Sequence, residues 1–168
     1  MDDFLTRASI WLALTLFVAA QVARGGSAAT AVIGSRLFWT GWVAFVGHIA
    51  LAFQSHYGWS HAVALAHTAA QTAAATGVET GSGLYLNYLF GVLWLVEAWW
   101  WHRHGVSVAA RQTSLELAVR VFWLFMIVNG AVIFVGGPQR WFGLTLVALL
   151  LYAWRPGTLA FGWPTNRP

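Results

Sequence analysis

The stretch that decides the fold is residues 8–23, ASIWLALTLFVAAQVA, which contains no formally charged residue. Largely apolar stretches follow at 37–53, 84–101, 117–135 and 141–154. A transmembrane helix needs about 20 residues, and flanking Arg and Trp side chains let a shorter stretch reach both interfaces. The pattern therefore predicts an all-α integral membrane protein. We expect one domain over residues 1–168, built as a bundle of about five transmembrane helices.

The composition agrees with a membrane environment. The chain is 59% hydrophobic and only 8% charged, whereas a soluble domain carries roughly a quarter charged residues. A surface with so few charges must face lipid rather than water, which argues against a soluble enzyme domain. Within 168 residues we expect no second domain and no enzymatic activity of the chain on its own.

The basic residues indicate how the helices are oriented. All nine are arginines, and they stand singly at the ends of apolar stretches, which suits anchors at lipid headgroups and not a nucleic-acid surface. Five spans would put seven arginines on one side, against Arg7 and Arg140 on the other. Because cytoplasmic loops are enriched in Arg, we expect the N-terminus outside the plasma or inner membrane and the C-terminus in the cytoplasm.

The segment 60–76 is uncharged but rich in Ala and Thr, so its tendency to insert is weak. Ser60 is a good helix N-cap and Gly77 a good helix terminator. We therefore predict a short helix over 60–76 that lies on the outer face of the bundle or dips partly into it.

Polar side chains gather at the predicted outer end. Four of the six histidines lie between the second and third spans: His48, His56, His61 and His67. Two further spans place an amide at similar depth, Asn87 and Asn129. Because polar groups in a span are costly and usually functional or paired, we interpret these residues as a candidate cofactor site, with the four histidines as candidate metal ligands.

The histidine spacing limits what such a site can be. His61 and His67 differ by roughly 240° around an α-helix, and His48 and His56 are roughly 80° out of register. Neither pair forms a ready helical chelate, so the site must be assembled from separate segments, for example His48 with His67 or His61. The chain contains no cysteine, which excludes thiolate ligands. Histidines on opposite sides of a cavity suit haem b, and neutral imidazoles also suit copper or zinc.

Simpler interpretations stay open for the same residues. His56 and His61 suit a membrane interface without any ligand, and His48 can hydrogen-bond Asn87 or a backbone carbonyl. Glu97, at the predicted inner end, is expected to pair with Arg103, Arg111 or Arg120. Glu116 and Arg120 form an i,i+4 pair of structural value.

Three functions follow from these features. The first is an accessory subunit that packs against other membrane subunits, or copies of itself, and holds haem b or copper at its outer face for electron transfer or metal handling. The second is a structural subunit that scaffolds a complex without a cofactor. The third is a small channel or carrier for protons, metal or a neutral molecule, with Asn87, Asn129, His48 and Glu97 as a polar track.

Overall fold

The computed structural model describes residues 2–104 and 113–155. These ranges are mainly helical and contain no strand. The six α-helices of the described ranges are α1 (Asp2–Arg24), α2 (Ala28–Ala52), α3 (His61–Thr76), α4 (Gly83–His104), α5 (Thr113–Val128) and α6 (Pro138–Ala153). Two helices end in a π-helical turn: α2 continues through Phe53–Tyr57 and α5 through Asn129–Ile133. The prediction of an all-α fold is confirmed for the described ranges.

The five long helices alternate in direction, and α3 packs beside the start of α4. The start of α1 meets the end of α2 through Thr6 and His48, and the end of α1 meets the start of α5 through Arg24 and Glu116. Helices α4 and α6 run parallel to α1. We call the end with the four histidines of residues 48–67 the histidine end, and the opposite end, with Arg24, the arginine end.

A cluster of large aromatic side chains closes the middle of the bundle. Phe17 of α1, Phe38 of α2, Trp94 of α4 and Trp123 of α5 are each at most 1% exposed. The ring centroids of Phe17 and Trp94 are 4.9 Å apart, and those of Phe17 and Trp123 are 5.0 Å apart. The Trp94 Nε1–H donates to the Phe38 carbonyl at 3.1 Å, which satisfies the buried indole. The aromatic cluster therefore joins four helices, and Leu146 and Leu150 of α6 extend the same core.

Within residues 2–104 and 113–155, three helical stretches are long and apolar enough to cross a membrane: Phe4–Arg24, Ala29–Tyr57 and Ser114–Ile133. Their outward faces carry exposed aliphatic side chains such as Val43 and Val121, which are 60% and 59% exposed. Such faces need an apolar environment because water would contact them directly. These helices are consistent with the predicted membrane location.

Helix α2 is longer than predicted, whereas α3 lies where its capping residues placed it. Helix α2 begins at Ala28, well before residue 37, because the Ser27 hydroxyl caps it by accepting from the Thr30 N–H at 3.4 Å. Helix α3 is preceded by Ser60, which accepts from the Val63 N–H, and it ends at Gly77, whose φ of 78° is the left-handed conformation that glycine favours.

Candidate functional site at the histidine end

The imidazole of His48 is held by helix α1. Its Nδ1 lies 2.9 Å from the Thr6 carbonyl oxygen and 3.3 Å from the Ser9 hydroxyl. Since the carbonyl can only accept, Nδ1 carries the proton that forms this bond, and Nε2 carries the lone pair of the neutral ring. This arrangement fixes both the tautomer and the orientation of the ring. A backbone carbonyl is the usual orienting partner of a histidine that ligates a metal through its other nitrogen.

The π turn of α2 changes the register of His56. A π turn takes in about one residue more than an α turn, and the Gly58 N–H accordingly donates to the Phe53 carbonyl, five residues back. This underwinding offsets most of the roughly 80° between His48 and His56 that a regular α-helix would impose. This π turn left no signal in the sequence, and the placement of His56 relative to His48 stays a prediction.

His61 and His67 lie against tyrosines rather than against His48. The Nδ1 of His67 is 3.4 Å from the Tyr57 hydroxyl, and the ring centroids are 5.4 Å apart. The ring of His61 lies 5.7 Å from that of Tyr85 and 6.0 Å from that of Tyr88. Both histidines are exposed. Each α3 histidine therefore has a tyrosine partner on another segment, so imidazole and phenol groups lie side by side at the histidine end.

The two predicted amides lie apart from His48. Asn87 is exposed on α4, and the Asn129 Nδ2 donates to the Phe125 carbonyl of its own helix at 2.7 Å. In the described ranges, no three His, Cys, Asp or Glu side chains come close enough together to hold a metal ion. The protein alone therefore supplies no three-ligand metal site within those ranges, and the roles of the candidate residues stay predictions.

Backbone strain marks the connection between α2 and α3. Trp59 adopts a φ of 57°, which is uncommon for a bulky residue and costs of the order of 1–3 kcal/mol. Its Nε1–H donates to the Gln54 Oε1 at 2.8 Å, and its ring lies 6.0 Å from that of Phe53. Strain of this kind is often found at functional sites, and here it fixes the connection that leads from His56 to His61.

The arginine end holds a buried ion pair that the sequence did not predict. Arg24 was expected to anchor at headgroups, but it is 5% exposed, and its Nη1 lies 3.5 Å from the Glu116 Oε1. The same oxygen accepts from the Arg120 Nε at 2.9 Å. The guanidinium of Arg24 also covers the Trp101 ring at 4.6 Å. Arg24 is buried because a carboxylate and an aromatic face replace water around it.

Gln21 and Glu97 complete this buried polar region. Gln21 is 1% exposed, and its Oε1 accepts from the Trp154 Nε1 at 3.1 Å. Glu97 is 3% exposed and accepts from the Trp101 Nε1 at 2.8 Å, while its expected pairing with arginine stays a prediction. A signal for the region was available, because Gln21 is the lone amide in an apolar helix and lies one turn from Arg24.

The chain thus belongs to the class of all-helical proteins whose long apolar helices suit a membrane. Within that class, no protein-family model, no curated protein and no solved structure matches it. Its function must therefore be argued from the geometry described above.

Proposed function

We propose that the protein is a polytopic subunit of the plasma or inner membrane that spans the bilayer five times. Helices α1, α2 and α5 are the stretches long and apolar enough to cross, and α4, with 22 residues, lies antiparallel to α2 in the same bundle. Helix α6 has 16 residues, about 24 Å of helix. The exposed Trp141 near its start suits an interface, which supports α6 as a short fifth span.

The arginine distribution supports the orientation in which the histidine end faces outward. The helix directions put Arg7 and Arg140 at the histidine end and leave most other arginines at the opposite end. That arrangement follows the rule that short cytoplasmic loops are enriched in Arg. The N-terminus then lies outside and the C-terminus in the cytoplasm, with α3 on the outer face.

Within this framework the protein acts as an accessory subunit of a membrane complex and binds a haem b or a copper ion through His48. The observation that carries the proposal is the 2.9 Å contact between the His48 Nδ1 and the Thr6 carbonyl, because it directs the Nε2 lone pair away from the backbone. Haem suits this end better than zinc does. The porphyrin brings four of its own nitrogens and needs only one or two histidines, whereas zinc usually takes three or four protein ligands.

The second ligand is a histidine of the same end. We favour His56 because the π turn reduces its angular offset from His48, whereas His61 or His67 would have to leave a tyrosine contact. Two imidazoles also suit copper. A cofactor here would make the subunit a site for electron transfer or metal handling at the outer face.

An optical spectrum with metal analysis of the detergent-purified protein tests this function. We expect a Soret band with iron, or copper near one equivalent, and we expect His48→Ala to lose either signal. His102→Ala is the matched control, because His102 lies on α4 at the arginine end and should retain full loading. Wild-type protein without iron or copper, or a His48→Ala variant that retains the metal, would contradict the proposal.

A cofactor-free scaffolding subunit is the second candidate. The finding that favours it is that no three metal-binding side chains are grouped within residues 2–104 and 113–155. The same spectrum separates the two candidates, since a scaffold carries no chromophore. If the purified protein stays a homogeneous monomer after gentle extraction, scaffolding loses its support.

A channel or carrier has the least support. Asn87, Asn129 and Glu97 lie in separate surroundings, and the aromatic cluster of Phe17, Phe38, Trp94 and Trp123 fills the section between the two ends. Flux in liposomes that falls in Glu97→Gln and His48→Ala variants would restore it.

A further inference from the structure

A cavity lies at the histidine end, on a different face of α1 from the one that contacts His48. It measures about 400 Å³ and lies between α1, α3, the π turn of α5 and the start of α6. This volume is within the range of small-molecule sites, about 300–1,000 Å³. Its apolar lining consists of Ile10, Trp11, Leu14, Phe134 and Val135. Trp11 also makes a T-shaped contact with Phe142 of α6, at 5.2 Å between ring centroids.

The mouth of the cavity is polar and positively charged. It is lined by the Arg7 side chain and by the amides of Gln71 and Gln139, and none of the described residues that line the cavity is acidic. A second guanidinium adjoins it, because the Arg140 Nε donates at 3.0 Å to the carbonyl of Val135, itself a lining residue. Among the arginines of residues 2–104 and 113–155, Arg7 and Arg140 lie at the histidine end, where Arg7 lines the cavity and Arg140 adjoins it.

Two exposed glycines line the cavity, Gly130 and Gly136. A Cβ added to either would meet no atom within 4 Å. Gly130 belongs to the π turn Asn129–Ile133, and π turns of this kind often lie at functional sites. A larger side chain at either position therefore has room beside the cavity.

We propose that this cavity binds an anionic amphiphile from the outer leaflet, with a phosphate or carboxylate head at Arg7 and Arg140 and an apolar chain against Trp11 and Phe134. Charge-assisted hydrogen bonds from Arg suit either head group. The mouth lies where α1 begins, at the depth of lipid headgroups in the proposed orientation. The cavity and His48 are on different faces of α1, so the site goes beyond the cofactor function and does not depend on it.

Native mass spectrometry of the protein in an uncharged detergent tests the site. Four probes are titrated: palmitate, palmitoyl lysophosphatidate, palmitoyl lysophosphatidylcholine and inorganic phosphate. We expect saturable binding of one equivalent of the two anionic amphiphiles, and binding of the zwitterionic lipid and of phosphate that is weaker by roughly tenfold or more, because the first has no net negative charge and the second has no apolar chain. Inorganic phosphate lacks the apolar chain, whereas lysophosphatidylcholine has the chain and a phosphate whose negative charge is balanced by choline. Phosphate binding as tight as that of lysophosphatidate, or equal binding of both lysolipids, would overturn the proposal.

Three variants place the binding in the cavity. Arg7→Gln should weaken the anionic amphiphiles by roughly tenfold or more and leave lysophosphatidylcholine unchanged. Gly130→Leu should abolish binding of every amphiphile by filling the space, and Gly136→Leu, outside the helices, serves if Gly130→Leu does not fold. The matched control is Gly47→Leu, because Gly47 also has no atom within 4 Å of an added Cβ but lies on α2. Unchanged binding in a folded Gly130→Leu or Gly136→Leu variant would rule out the cavity.

Discussion

At the scale of single residues, contact between helices depends on where glycine allows the backbones to approach. Gly143 of α6 lies against the π turn of α5, and a Cβ added to it would overlap the Ala131 carbonyl. Gly47 of α2 has the opposite surroundings, with no atom within 4 Å of an added Cβ. The two positions differ in packing although both are helical glycines, so they form a natural pair for comparison.

We expect Gly143→Ala to destabilise the protein by about 1–3 kcal/mol, because overpacking forces α6 away from α5. Gly47→Ala should leave stability unchanged or raise it by up to about 1 kcal/mol, since alanine is the better helix former. Thermal unfolding in detergent micelles, followed by circular dichroism, measures both. Equal melting temperatures for the two variants would show that α5 and α6 do not approach as closely as described.

At the scale of helices, the Glu116 carboxylate joins α1 to α5. It contacts Arg24 across 92 positions of sequence and Arg120 within its own helix. Removing one partner from a buried ion pair leaves a charge without compensation, which costs about 3–5 kcal/mol. Replacing both partners with apolar groups removes that cost.

Glu116→Ala should therefore lower the free energy of unfolding by about 3–5 kcal/mol, and adding Arg24→Met should recover part of the loss. Glu79→Ala is the control, because Glu79 is exposed in the connection before α4. Unfolding by titrated sodium dodecyl sulfate in mixed micelles measures the differences. If the double variant is less stable than Glu116→Ala alone, the two side chains do not form the coupled pair seen here.

At the scale of the whole molecule, the alternation of helix directions places different segments at the two opposite ends of the bundle. The histidine end carries α3 and the connection with Glu79, and the arginine end carries the end of α4. The natural chain has no cysteine, so a single introduced thiol reports on its own position.

In intact cells we expect an impermeant maleimide to label Glu79→Cys and not His104→Cys, whereas permeabilised cells should label both. Both positions are exposed. Glu79 lies in the connection before α4, and His104 is the last residue of α4. The cysteine-free natural chain is the control for background. Labelling of His104→Cys alone in intact cells would reverse the orientation, and labelling of both would exclude a span between them.

Local signals predicted part of this architecture. The bounds of α3 follow from Ser60 and Gly77, which act on neighbouring backbone, and the gathering of histidines follows from their position between two apolar stretches. The burial of Arg24 could not be predicted because its partner Glu116 is distant in sequence. The π turns could not be predicted either, because a single turn is too short to produce a recognisable periodicity in the sequence.

The underwound segment Phe53–Tyr57 gives the histidine end a tolerance of chain length. A π turn takes in about one residue more than an α turn, so deleting one residue between Ala52 and Gly58 would let α2 continue with ordinary winding and leave the later side chains close to their present directions. If Tyr57 is kept, its contact with the His67 imidazole would then survive the deletion. The loss of a single codon in this segment would therefore shorten α2 without reshaping the end of the bundle.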